Sequence, residues 1–92
     1  MTAADPARFK ASILQFIRIE LETGMTYASV ALTSHSNEKR QRNKQNARKA
    51  HDTAQRFLGE LVAGEKTGQP DLIAGLTQLK NLLTGLGEKF EE

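Results

Sequence analysis

The sequence predicts an all-α fold, an antiparallel three-helix bundle with long helices over about residues 5–34, 36–64 and 70–90 of a single domain covering 1–92. Three observations carry this prediction. Apolar residues recur at alternating three- and four-residue steps in three segments, no segment shows sustained two-residue alternation, and two clusters of capping and turn residues separate the segments.

The first helix opens at Asp5-Pro6, an N-cap followed by a proline at the position where a missing N–H costs nothing. Leu14, Ile17, Leu21, Met25, Ala28 and Leu32 then share one face. The register continues through Gly24, so one helix of roughly 40 Å is expected. Thr33 to Glu38 is rich in capping side chains, with Ser36 as N-cap and Glu38 near the positive end of the next helix dipole. The second helix buries a narrow stripe of Asn43, Ala47, Ala50, Ala54, Phe57 and Leu61. Gly64 to Pro70 supplies a glycine able to end it and a proline able to start the third. Leu72, Leu76, Leu79, Leu83, Leu86 and Phe90 then form the clearest heptad seam of the chain. Gly75, Gly85 and Gly87 weaken that helix by about 1 kcal/mol each, and its last turn is expected to fray.

Short turns make neighbouring helices antiparallel. Folding the second helix back about His35 sets Gly24 opposite Ala47, Ala28 opposite Asn43 and Leu14 against Phe57. The third helix then brings Leu76 to Gly59, and Glu88, Glu91 and Glu92 to the Lys44–Lys49 region. An acidic end thus lands on a basic middle.

Composition narrows the chemistry. With 92 residues and no cysteine, the core consists of apolar side chains alone, without disulfide or thiolate metal site. No basic start followed by an apolar run opens the chain, and no stretch of about 18 apolar residues occurs, so a cytoplasmic protein without a membrane partner is expected. Two histidines sixteen positions apart make no metal-ligand pattern, and no nucleophile–base constellation is visible. Gly59 to Thr67 nearly spells a phosphate-binding loop, but Glu65 interrupts the Gly-Lys-Thr order and a helix precedes it. A non-enzymatic protein with no cofactor and no metal is therefore expected.

Two surfaces remain as candidates. Apolar positions on the first helix cover roughly 240° of its wheel, more than two neighbours need. Phe9, Phe16, Ile19 and Tyr27, with Val30 nearby, lie outside the seam and suit a partner protein or a second copy in a homodimer, unless they are only the ragged edge of a central helix. Lys39, Arg40, Arg42, Lys44, Arg48 and Lys49 form a run without an acidic residue, a candidate anion surface for nucleic-acid phosphates. Against that reading, these cations fan around the wheel and no aromatic is interleaved for base stacking. A solvated face partly neutralised by the C-terminal glutamates is the plainer account.

His51, in Ala50-His51-Asp52, resembles the phosphoacceptor of histidine phosphotransfer domains, which implies a surface histidine on a helical bundle. Those domains carry lysine and small residues in the turn after it, whereas Ala54 and Gln55 follow here. A half-exposed structural histidine beside the second helix's seam is expected, with phosphotransfer as a third reading. The stretches Gly24 to Leu32 and Asn46 to Leu58 resemble the helical hairpins of tetratricopeptide-type and MIT-type interaction domains, in which alanines, an aromatic and a Phe-Leu or Ala-Leu ending line the packed faces. The resemblance covers under half the chain, without the internal repeat of about 34 residues. It implies a docking module. The chain is similar as well to short bacterial helical proteins, which implies no particular activity.

Overall fold

The computed structural model describes the backbone of residues 6–63 and 70–90 and the side chains of 11–60 and 70–90. The expected cap at Asp5, the second turn, Glu91, Glu92 and the side chains of Phe9 and Leu61 lie outside the described residues. Three helices are present, α1 (Pro6–Thr33), α2 (Asn37–Ala63) and α3 (Pro70–Gly85), with no strand among the described residues. α1 packs against both others. Their shared core joins Ile17, Leu21 and Ala28 of α1, Ala47, Ala54 and Leu58 of α2, and Leu72, Leu79 and Leu83 of α3.

α1 runs unbroken through Gly24. At its end the Ser34 hydroxyl donates to the Val30 carbonyl, and the Arg40 guanidinium reaches back to the Ser34 carbonyl at 2.9 Å. The first turn has the expected cap: Ser36 Oγ accepts the Lys39 N–H and the Ser36 carbonyl accepts the Arg40 N–H.

The buried face of α1 is Ile17, Leu21, Gly24, Ala28 and Ala31, and Leu32, expected on the seam, is half exposed. Its uncovering follows from the length of α3. Leu79 packs over Gly24, and α3 ends six residues later, level with Val30.

α3 is shorter than its leucine pattern suggests. Gly87 adopts φ +98°, its N–H bonds the Thr84 carbonyl, and the Glu88 N–H bonds the Leu83 carbonyl. These two bonds are a Schellman cap, which satisfies the last carbonyls and turns the chain out of the helix. The end that was expected to fray is therefore closed, and Leu86 and Phe90 of the seam belong to the following segment.

The helix register also differs from a simple fold about His35. The α2 atom nearest a side chain on Gly24 would be Ala50 Cβ, not Ala47, and the Phe57 ring stands against Phe16, while Leu14 and Phe57 both pack against the core. Residues 37–42 are all exposed, so the buried face of α2 begins late. Gly59 is exposed with no atom near its missing side chain, and the expected Leu76–Gly59 contact is not made.

Candidate functional site

The predicted partner surface divides into two parts. Phe16 and Ile19 are exposed by 40% and 49%, and Val30 by 42%. The Phe16 ring stands edge-on to Phe57, centroids 5.2 Å apart, and together with Ser12 and Ile13 the two rings line a shallow apolar groove of about 300 Å³. Tyr27 instead packs partly against the core and lines a second depression with Glu20, Thr23, Asn46, Lys49 and Thr53. The side chain of Phe9 lies outside the described residues.

The exposed face of α1 has a regular order of its own. Ser12, Phe16, Ile19, Thr23, Thr26 and Val30 are all exposed and follow one another at steps of 4, 3, 4, 3 and 4. At about 100° per residue they form a second seam, turned away from the core face.

The basic run is divided by use. Lys44 pairs with Glu88 at 3.6 Å, and Arg40 caps α1. Arg48 holds Asp52 at 3.0 Å, Glu88 at 3.2 Å and the Lys89 carbonyl at 2.9 Å, with its guanidinium 4.1 Å from the centre of the Phe90 ring. Burial works against the charge on Arg48, but hydrogen bonds and attraction from Asp52 and Glu88 outweigh it and hold its pKa above the ordinary arginine value. The expected meeting of acidic end and basic middle thus occurs at Glu88. Lys39, Arg42 and Lys49 are exposed and pair with no carboxylate among the described residues.

His51 is fully buried, not half exposed. Its Nδ1–H donates to the Asp52 carboxylate at 2.8 Å, and its Nε2 has no hydrogen-bond partner among the described residues. The Phe90 ring packs against it at 4.8 Å and 61°. The covering group lies 39 positions along the chain, out of reach of any local pattern. A buried ring presents no nitrogen to a phosphoryl donor, so the geometry lends the phosphotransfer reading nothing. His35 is exposed in the first turn.

The region resembling a phosphate-binding loop begins inside α2, where residues 59–63 are helical. Among the described residues no group of three His, Asp or Glu could hold a metal ion, and no helix is long and apolar enough to cross a membrane.

The segment Glu88–Phe90 is the part that sequence reasoning missed as a unit. Its signal was Gly85-Leu86-Gly87, a cap read as weak helix. In comparisons with known proteins, no family model, no curated protein and no solved structure matches the chain.

Proposed function

We propose that the chain is a non-enzymatic helical docking module that pairs with a second copy of itself through the exposed seam of α1. The observation that carries this reading is the order of that seam about Thr23. In an antiparallel pairing of two α1 helices with the two-fold axis at Thr23, Phe16 of one copy faces Val30 of the other, and Ile19 faces the Thr26–Tyr27 turn. A two-fold interface must be self-complementary. A small side chain at the axis with Phe16 and Val30 seven residues to either side meets that requirement, and the stripe from Phe16 to Val30 is roughly 21 Å long.

One helical stripe per copy buries less than a standard interface of about 1,600 Å², so the dimer is weak and forms on the order of 100 μM. Because the chain has no cysteine, Thr23→Cys tests the arrangement directly. Mild oxidation is expected to give a covalent dimer much faster than for Gln78→Cys on the exposed side of α3. Ile19→Glu is expected to abolish association in sedimentation equilibrium. A monomer at high micromolar concentration, with equal cross-linking of both cysteine variants, ends the reading.

A second reading is favoured by one observation on α2. Arg42, Lys49 and Arg56 are exposed at intervals of seven residues, a column of cations spaced by about 10 Å that suits a phosphate backbone. It predicts salt-sensitive retention on RNA or DNA that falls for Arg42→Ala and Lys49→Ala. Indifference to nucleic acid at low salt removes it.

A further inference from the structure

Past Gly87 the chain has left α3, and α2 holds it much as a receptor holds a short peptide. One carboxylate, Glu88, is read by two cations, Lys44 and Arg48. One main-chain carbonyl, that of Lys89, accepts from Arg48. One ring, Phe90, is placed against the Arg48 guanidinium, the His51 ring and the Lys80 ammonium, the last 5.3 Å from its centre. Charge, backbone and aromatic ring are the features by which extended peptides are recognised.

We propose that this notch between α2 and α3 is a docking site for a partner protein's acidic–aromatic segment of the pattern Glu-x-Phe, and that residues 88–90 occupy it as an internal placeholder. Two further observations indicate that the site is larger than its present occupant. An open cleft of about 480 Å³ continues from Glu88 along α2, past Lys49, Asp52, Thr53 and Arg56, with the Asp52 carboxylate held by Arg48. Lys49 and Arg56 pair with no carboxylate among the described residues, so an acidic segment longer than residues 88–90 gains ion pairs that those three residues do not make. Beside Phe90, the buried Nε2 of His51 has no partner among the described residues, and buried polar groups are normally satisfied. Lys49 and Thr53 also border the depression beside Thr23 of the α1 seam, whereas Arg48, His51 and Phe90 do not, and the proposal is tested at those residues.

The placeholder is tethered, and a short tether gives it a local concentration in the millimolar range. Competition is therefore the measurement. The full chain carrying Glu88→Gln and Phe90→Ala is titrated with a synthetic peptide reproducing residues 86–92, and the His51 ring and Arg48 side-chain resonances are followed by NMR. Saturable shifts are expected at about tenfold lower peptide concentration than in the unsubstituted chain. They are lost when the peptide's phenylalanine becomes alanine or when Arg48→Gln is added. If circular dichroism shows the double variant unfolded, Glu88→Gln alone serves, and its midpoint is expected between the other two. Unmoved resonances in a folded variant, or equal shifts from a scrambled peptide, overturn the proposal. So does a dimer of the unsubstituted chain that Phe90→Ala abolishes, which would assign the notch to exchange between copies.

Discussion

Leu79 of α3 occupies the volume that a side chain on Gly24 of α1 would need. A Cβ built on Gly24 would stand 2.6 Å from Leu79 Cδ2 and 3.2 Å from Ala50 Cβ, so one small residue lets all three helices meet. Gly24→Ala gains about 1 kcal/mol of helix propensity but must displace Leu79, at about 1–3 kcal/mol for overpacking. A net loss is expected in urea unfolding. With Leu79→Ala also present, the two losses add to less than their sum, because the shorter side chain makes room.

Gly59 presents the opposite case. It lies in α2, exposed, with no atom within 4 Å of its missing side chain. Gly59→Ala is expected to stabilise the fold by about 0.5–1 kcal/mol, visible as a higher thermal midpoint.

At Gly87 the left-handed backbone closes α3 and launches the segment toward Arg48. Gly87→Ala strains that turn by about 1–2 kcal/mol. Amide exchange is expected to quicken at Leu86 and Glu88, and the Phe90 ring to loosen from His51. Protection unchanged at Glu88 would contradict this account.

The Nε2 of His51, without a partner among the described residues, makes this residue replaceable by an apolar side chain. Removing a buried polar atom without a partner recovers about 1–3 kcal/mol of desolvation, against the loss of one hydrogen bond to Asp52. His51→Leu is therefore expected within about 1 kcal/mol of the parent in denaturant titration, and His51→Asp far below it, because it buries a carboxylate.

Salt, more than alkali, is expected to loosen the Glu88 contacts. A base whose pKa is raised on folding adds stability that is fully present below its unfolded value and lost only as pH rises through the folded one. For Arg48 that window is strongly alkaline, so its contribution stays level between about pH 6 and 9. Glu88→Gln should cost about 0.5–1 kcal/mol at low ionic strength and less at 1 M salt.

The parts of the fold that could be read from the residues are those decided locally. Ser36 caps α2 through bonds three and four residues away, and the uninterrupted register across Gly24 made α1 one helix. Where α3 ends was not legible in the leucine spacing, since Leu83, Leu86 and Phe90 keep the rhythm across a cap that depends on the backbone of Gly87. The exposure of Phe16 and Ile19 followed from an apolar arc wider than two neighbours cover. Tyr27 could not be told from them, because it lies about 20° from Phe16 on the wheel and differs only in what α2 places beside it. The roles of Arg48 and His51 depend on Glu88 and Phe90, some forty residues distant, which no periodicity links to them.

The alanine and glycine lining between α1 and α2 has a calorimetric consequence. Gly24, Ala28 and Ala31 on one side and Ala47, Ala50 and Ala54 on the other bring backbones close, yet each removes little hydrocarbon from water. The heat capacity change of unfolding scales with that hydrocarbon area, so it should fall below the usual 12–15 cal/mol/K per residue, a figure that is itself about average. A flatter stability curve follows, with a broad melt and little tendency to cold denaturation.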